Sequence, residues 1–442
     1  MQELKDLMRK SGIVGAGGAG FPSYAKLAEG VDLLLINGSE CEPLLYTDYV
    51  ILKRESETVI SGICEVLSHT GISKALLCIK AHTAKRLDLS DGDKLAESVY
   101  VRVLPDVYPI GDEISLIYEA TGRLVKPGKL PITCGVIVYN VETMYNLGRA
   151  VRLRESVVDK WLTVGGNVPS PTVVKVPIGT KVSDLFKKLG ITVPEGHTVL
   201  DGGPSMGKVI NPELYAVTKT TKGILILPND TQAIISKKIN EKMAIARAET
   251  ACCQCTRCTD MCPRNLLGYP LEPHKMVRTA MGACEVMPIM VISATLCCGC
   301  GVCESLACSQ GISPRAVIAN YKELLGKNKM RFSGDIDVGV RTEREYRMIP
   351  SEKWASTLGV GKFDTVADFG GEIRDFSRVE QSLVRHIGAP SIPTVTDGMT
   401  VTRGDIIAAA AEGLSLPQHA SISGRVTLGN GKIIIDRVIE DV

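Results

Sequence analysis

Ten of the fifteen cysteines in this 442-residue chain fall in two short runs, and no other feature constrains the fold as strongly. The first reads Ala251-Cys252-Cys253-Gln254-Cys255-Thr256-Arg257-Cys258-Thr259-Asp260-Met261-Cys262-Pro263. Cys252, Cys255, Cys258 and Cys262 give the rhythm C-x2-C-x2-C-x3-C-P. Three thiolates so spaced wrap a tight loop around one iron–sulfur cube, each reaching a different iron. The fourth points away along a helix opened by Pro263, towards a neighbouring cube; proline suits a first helical turn, where its missing N–H has no partner to lose.

The second run, Cys297-Cys298-Gly299-Cys300-Gly301-Val302-Cys303-Glu304-Ser305-Leu306-Ala307-Cys308, repeats the spacing at Cys297, Cys300 and Cys303. Cys308 follows after four residues, and Ser309 stands where the first run has proline. The pattern is that of a bacterial two-cluster ferredoxin, in which each fourth cysteine serves the other cube. One [4Fe-4S] cluster is therefore expected on Cys252, Cys255, Cys258 and Cys308, the other on Cys297, Cys300, Cys303 and Cys262. Cys253 and Cys298 break the spacing and Cys284 lies between the runs, so none of these is expected to be a ligand. Zinc sites use paired C-x2-C knuckles and have no use for this triple rhythm.

The N-terminus, Met1-Gln2-Glu3-Leu4-Lys5-Asp6, carries mixed charge with no apolar run behind it, so no export signal is read there. In a reducing compartment, clustered cysteines are more often metal ligands than disulfides. The expected location is cytoplasmic. The uncharged stretch Val286 to Cys303 approaches transmembrane length, but it contains Pro288, two glycines and four cysteines, and reads as a buried helix followed by a cluster loop. No membrane span is expected. With 51 basic and 49 acidic residues and 5% aromatics, the chain offers neither an electrostatic footprint for nucleic acid nor stacking platforms for single strands.

The first ten residues read as an amphipathic helix with Leu4, Leu7 and Met8 on one face. Ser11-Gly12-Ile13-Val14-Gly15-Ala16-Gly17-Gly18-Ala19-Gly20-Phe21-Pro22 follows, then an apolar strand from Leu33 to Ile36 that ends at Asn37-Gly38-Ser39-Glu40-Cys41-Glu42-Pro43. Glycines this dense let backbone N–H groups approach a phosphate or flat ring without Cβ interference. Polar residues at the end of a buried strand stand where α/β sheets bind ligands. Taken alone, the loop fits a tight structural turn equally well, and a dinucleotide fingerprint of the Rossmann kind is excluded because no strand precedes the glycines.

Gly15-Ala-Gly-Gly-Ala-Gly-Phe-Pro, Asn37-Gly-Ser-Glu-Cys-Glu-Pro, Tyr108-Pro-Ile-Gly-Asp-Glu and Asn140-Val-Glu-Thr together resemble the FMN- and NADH-binding subunit of respiratory complex I. They are closer to the RnfC component of the Rnf complex, and closer still to the cobalamin reductases of propanediol-utilisation microcompartments, a resemblance that covers nearly the whole chain. It implies FMN held by Gly15, Gly17, Gly18, Lys26, Asn37, Glu40, Gly111, Asp112 and Asn140. It implies Phe21 and Glu42 facing NADH, with Glu113 near it. Ser39 and Tyr139 depart from the complex I pattern, which has aspartate and asparagine there. The resemblance also places the chain within a bacterial microcompartment.

The expected fold is multidomain α/β. A complex I flavoprotein-like FMN/NADH domain covers 1–155, and a β-grasp (soluble-ligand-binding) domain covers 156–232, opening on a hairpin around Gly165-Gly166-Asn167 and a helix from Val182 to Leu189. In this domain Gly202-Gly203-Pro204 is expected as a turn and Val217 to Leu227 as a strand pair. A helical ferredoxin-like domain covers 233–330, with a helix over Ile318 to Leu325, and 331–380 is expected to be connecting surface structure. A barrel-sandwich hybrid covers 381–442. A biotinyl or lipoyl carrier needs an exposed lysine at the hairpin between its halves, and Lys432 beside Gly429-Asn430-Gly431 is in the wrong place, so this module is expected to dock or pack.

The implied function is an oxidoreductase passing electrons from NADH through FMN and two [4Fe-4S] clusters to cobalamin or a corrinoid-handling enzyme, with microcompartment enzymes or shell as further partners. The alternative is an Rnf-type relay protein within a larger complex with a different acceptor. Hydride transfer needs no protein acid or base, so no catalytic residue is expected, and the absence of a Ser-His-Asp constellation is in keeping with that.

Overall fold

The apolar run beginning at Leu33 is buried on both faces, as a strand inside a parallel sheet must be. In the computed structural model, which describes residues 1–384 and 386–438, it is an inner strand of a five-stranded sheet. The order is Lys94–Ala96, Val99–Leu104, Lys74–Lys80, Leu33–Asn37, Val136–Asn140, all parallel but the first. Alternate side chains feed opposite layers. Leu34 and Ile36 join Ile51, Ile63 and Met144, whereas Leu33 and Leu35 join Ile114 and Leu116. Helices Thr47–Thr70 and Val141–Leu153 touch backbone to backbone: a Cβ on Gly62 would lie 2.1 Å from the Met144 oxygen, and one on Gly148 would lie 1.9 Å from the Thr58 oxygen. The N-terminal helix Gln2–Lys10 buries Leu4 and Met8 as its periodicity requires.

A second, six-stranded sheet runs Lys208–Ile210, His197–Asp201, Gly223–Pro228, Asp159–Gly166, Thr172–Pro177, Asp368–Glu372. The hairpin Asp159–Gly166 with Thr172–Pro177 and the helix Val182–Leu189 form where the sequence pattern puts them. The expected strand pair from Val217 to Leu227 does not form; a single strand, Gly223–Pro228, is preceded by an isolated bridge at Ala216. The cause is local. Thr218 N donates to Thr221 Oγ1 at 3.1 Å and Thr221 N to the Thr218 carbonyl at 3.2 Å, a turn that competes with strand pairing.

The segment 331–380, expected as connecting surface, contributes to three parts of the molecule. Ile349–Pro350 pairs with Val107–Tyr108, Trp354 is fully buried, and Asp368–Glu372 is the sixth strand of the second sheet. Its charges mislead because they fall on outward positions, such as Asp368 and Glu372, while apolar residues among them, such as Ile349 and Trp354, are buried. The stretch after Val286 also differs from the buried helix expected. It forms only Pro288–Ile292 and a 3₁₀ turn Ser293–Leu296, with Val286, Met287 and Ile289 exposed (65, 52 and 42%). Among the described residues no helix is long and apolar enough to cross a membrane.

The cysteine runs belong to a helical unit in which Glu241–Ala251, Pro273–Ala280 and Pro314–Lys327 pack around Ala248, Val277 and Val317. At the C-terminal end two small sheets enclose Val379, Ile407, Val426 and Ile435. The first strand there, Arg378–Ser382, begins slightly before position 381. This module packs on the rest of the chain: Arg403 grips Asp159 with two bonds of 3.0 and 2.6 Å, and Ile387 N donates to the Gly20 carbonyl at 3.1 Å. Lys432 is ion-paired to Glu380 at 3.1 Å, so it is no free carrier arm.

Candidate functional site

Asn37 and Asn140 end adjacent parallel strands in direct register, at the carboxyl edge where such sheets bind ligands. Asn37 Nδ2 donates to the Gly111 carbonyl at 3.0 Å, and its Oδ1 accepts from Ser39 N at 3.0 Å. Asn140 caps helix Val141–Leu153 by accepting from Glu142 N, while its Nδ2 donates to the Asn37 carbonyl at 3.1 Å and to Asp48 at 2.8 Å. The glycine loop lies directly on it: a Cβ on Gly17 would sit 2.8 Å from Asn140 Cγ. Gly15 N bonds the Phe21 carbonyl, closing the loop at 2.8 Å. Gly111 approaches the other side, where a Cβ would be 2.4 Å from the Ser39 oxygen. Lys26 reaches the Val138 carbonyl at 3.0 Å and Glu113 at 2.8 Å, and Asp112 caps helix Glu113–Thr121. The structure thus gathers Gly15, Gly17, Lys26, Asn37, Gly111, Asp112, Glu113 and Asn140 around one edge. Ser39 and Tyr139 point inward, to the Cys78 and Ser23 carbonyls at 3.0 and 2.8 Å.

Two observations test this edge against a flat, polar cofactor such as FMN. Gly18 has open space where a Cβ would be, leaving its backbone bare, and Glu40 Oε1 is buried without a hydrogen-bond partner. A bare backbone edge and an orphan acceptor fit a group rich in hydroxyl and amide functions. Burial, with the Asp48 carboxylate adding to it, raises the Glu40 carboxyl to about 7.

The sequence reading missed four residues here. Lys160, on the strand Asp159–Gly166 of the second sheet, is buried and ion-paired with Glu142 of the flavin-side helix, and also donates to the Ala16 carbonyl of the glycine loop at 3.4 Å. Lys222, also from the second unit, pairs with Asp48 and lies 3.9 Å from Glu142. Two cations thus enter an acid group of Glu40, Asp48 and Glu142. No signal in the sequence marks them, since the burial of Asp159–Gly166 at every position shows only in the fold. Glu42 lies at the junction of two units. Its carboxylate accepts from Ser205 N at 2.8 Å and Met206 N at 2.9 Å, joining the first unit to a turn of the second. Anionic oxygens favour such paired backbone donors.

The two cysteine loops share one backbone shape. Gln254 and Thr256 take left-handed φ of 55° and 61°, and Gly299 and Gly301, at the same offsets in the second run, take 77° and 81°. Alternating handedness turns successive N–H groups inward and makes an anion cradle. Gly299 N donates to Cys297 Sγ at 3.3 Å. The two runs interleave. Cys258 lies in the field of Cys252, Cys255 and Cys308, while Cys262 neighbours Cys297 and Cys298, and Cys300 neighbours Cys298, Cys262 and Cys303. Cys262 precedes helix Pro263–Leu266 with proline in its first turn. Burial pushes the Cys258 and Cys262 thiols up to about 12, so these sulfurs ionise only when a cation is bound to them. An all-sulfur donor set selects iron–sulfur clusters or another soft metal.

The two sites are joined. Arg264, two residues beyond Cys262, pairs with Asp112 at 2.7 Å, and Tyr108 OH donates to the Cys300 carbonyl at 2.7 Å. Tyr108 stacks on Trp354 with centroids 4.4 Å apart, and Trp354 Nε1 donates to Ser205 Oγ at 2.9 Å. Arg315 holds the Ser205 carbonyl at 2.8 Å.

Comparison with known proteins agrees with this division. Residues 8–149 match the Nuo51 FMN-binding domain, 251–313 a 4Fe-4S dicluster domain, and 373–430 the RnfC barrel sandwich hybrid domain. The chain is 36% identical over 426 residues to the cobalamin reductase PduS of Salmonella typhimurium, covering 96% of this chain and 94% of that one. The PduS of Citrobacter freundii is likewise 36% identical, over 427 residues, with 96% and 94% covered. A component of the proton-translocating ferredoxin:NAD(+) oxidoreductase complex of Clostridium ljungdahlii is 31% identical over 271 residues, covering 60% of this chain and 57% of that one.

Proposed function

The chain belongs to the family of the cobalamin reductase PduS, and on that premise we propose that it passes electrons from NADH through FMN and two [4Fe-4S] clusters to a corrinoid. When bound, FMN supplies the exchange between a hydride's electron pair and single electrons, and the clusters supply single-electron relay. The protein binds, orients and insulates.

We assign FMN to Gly15, Gly17, Gly18, Lys26, Asn37, Glu40, Gly111, Asp112 and Asn140. Their cross-bonding fixes the dipoles before any ligand arrives, which limits the reorganisation that binding requires. Phe21 and Glu113 are assigned to the dinucleotide. Glu42 is assigned with them, its carboxylate held by the Ser205 and Met206 amides. The cluster ligands are Cys252, Cys255, Cys258 and Cys308 for one cube and Cys262, Cys297, Cys300 and Cys303 for the other. The six-stranded unit is read as the β-grasp module, serving here to deliver Lys160 and Lys222 to the flavin side. Residence in a microcompartment is part of the same reading.

The observation that carries the proposal is the Asp112–Arg264 pair, which ties the flavin-side motif to the chain two residues past a cluster cysteine. The test is spectroscopic. Anaerobically purified protein should show flavin bands over a broad iron–sulfur shoulder, both bleached by NADH, and should then reduce cob(III)alamin or cob(II)alamin. Bleaching by reduced ferredoxin alone would favour the Rnf-type relay instead, a reading supported by the RnfC match at residues 373–430.

A further inference from the structure

Arg264 is placed unusually for a cation. Its side chain is only 12% exposed, it lies over the Tyr269 ring at 5.5 Å, and one terminal nitrogen is held by Asp112 at 2.7 Å. Its Nε is buried and without a partner. Asp112 is itself only 13% exposed and accepts from Ser115 N at 3.3 Å. Cys297 and Cys298 lie within the field of the guanidinium, and Cys262 is two residues away along the helix Pro263–Leu266. An arginine cannot escape this environment by losing its proton. A buried charge left half-satisfied persists where another group completes its surroundings.

We propose that Arg264 is a positioning residue that couples the two redox sites, its fixed positive charge raising the potential of the cluster on Cys262, Cys297, Cys300 and Cys303 while its ion pair holds the flavin-side loop at Asp112. This rests on the reading that these four cysteines carry a [4Fe-4S] cluster. The physical argument is electrostatic. A cubane held by four thiolates gains one negative charge on accepting one electron, and a cation in a low-dielectric surround stabilises the reduced form more than the oxidised one. No arginine stands two residues after Cys308, where Gln310 is found, and the Cys253-Gln254-Cys255 side of the other site is largely exposed, where water screens charge. The influence of Arg264 is therefore selective for one cluster. Asp112 opposes it, which fixes a second sign.

The test is an anaerobic redox titration of the full-length holoprotein followed by EPR, with Arg264→Gln, Arg264→Lys and Asp112→Asn. In Arg264→Gln one cluster signal should become harder to reduce, its reduced-to-oxidised ratio at fixed poise falling about tenfold, a shift of about 59 mV for one electron. The other signal should stay in place. Arg264→Lys should keep most of the wild-type potential, and Asp112→Asn should move the same signal the opposite way. Cys255→Ser assigns the signals, since the one that shifts must survive it. Equal movement of both signals, movement of neither, or loss of the shifting signal in Cys255→Ser overturns the proposal. If Arg264→Gln assembles no clusters, the sign of Asp112→Asn against wild type still decides it. Failure of the underlying reading looks different, for then wild-type protein itself shows no two cluster signals to move.

Discussion

Lys160 offers the sharpest test of how the second unit serves the first. Its ammonium and the Glu142 carboxylate are both almost wholly buried and paired, across the boundary between the six-stranded unit and the flavin-side helix. Removing one member of a buried pair costs about 3–5 kcal/mol, because the other charge is stranded. Lys160→Met leaves Glu142 with the Trp161 N–H at 3.2 Å and Lys222 at 3.9 Å, so the loss belongs near the lower end, about 3 kcal/mol. Glu142→Gln strands Lys160, whose proton affinity burial already depresses; the lysine then sheds its charge, and the loss is about 2–3 kcal/mol. In the double variant Lys160→Met/Glu142→Gln no charge is stranded and the amide oxygen still accepts from Trp161 N, so the protein should return to within about 1.5 kcal/mol of wild type. The coupling energy is then about 3 kcal/mol or more. Trp161 sits beside the pair and only one other tryptophan, Trp354, is present. Urea unfolding followed by Trp161 fluorescence, with Trp354→Phe in every variant, therefore reports the transition of this region. A loss below about 1 kcal/mol for Lys160→Met, or additive single losses in the double variant, would refute the reasoning.

Glu40 should impose a pH dependence on stability. Its folded pKa of about 7 lies above the ordinary carboxylate value, so between about pH 4.5 and 7 the folded state holds the extra proton and stability falls as pH rises. Glu40→Gln should flatten that slope in urea midpoints measured across this window and just beyond it, and an unchanged slope would contradict the assignment. A Cβ at position 203 would meet Glu42 at 2.4 Å, so Gly203→Ala should destabilise the junction by about 1–3 kcal/mol and speed amide exchange at Ser205 and Met206. Cys308→Ser should remove one cluster's worth of iron and acid-labile sulfide, whereas Cys253→Ser should leave both unchanged on chemical analysis.

What could be read from residues alone divides along a physical line. Cysteine spacing is a local code: Cys252, Cys255 and Cys258 lie on one loop, and their geometry follows from covalent reach, so the interleaving with Cys308 and Cys262 was legible. The strand from Leu33 was legible because burial on two faces writes itself as apolar continuity, and the hairpin because its residues alternate around the turn Gly165-Gly166-Asn167. Lys160 and Lys222 were not legible. A buried cation is indistinguishable in sequence from a solvated one until its partner, Glu142 or Asp48, is known to be across the interface. The partners of Glu42 were not legible for the same reason: the motif places its backbone, but the amides of Ser205 and Met206 that capture its carboxylate are far along the chain. Asp368–Glu372 was hidden because two glycines and two acids describe an edge strand and a surface loop equally well.

These interface residues explain how a protein built from separable modules can act as one conductor. A cysteine loop can hold a cube, and a glycine loop a flavin, without reference to each other; the gap between them is set by the contacts that join them. Beside the Asp112–Arg264 pair, the turn at Ser205 supplies several of these. Its amides hold Glu42 of the flavin-side unit, its carbonyl holds Arg315 of the cluster unit, and its hydroxyl holds Trp354, which stacks on Tyr108, the residue bonded to the Cys300 carbonyl. Each contact alone contributes only about 0.5–1.5 kcal/mol, more where a charge is involved. Their closure into a loop of bonds matters more, since moving one unit would break several at once. A turn with no redox chemistry of its own is then the part of the six-stranded unit most closely tied to electron transfer, and its substitution should alter coupling between the sites before it alters either site alone.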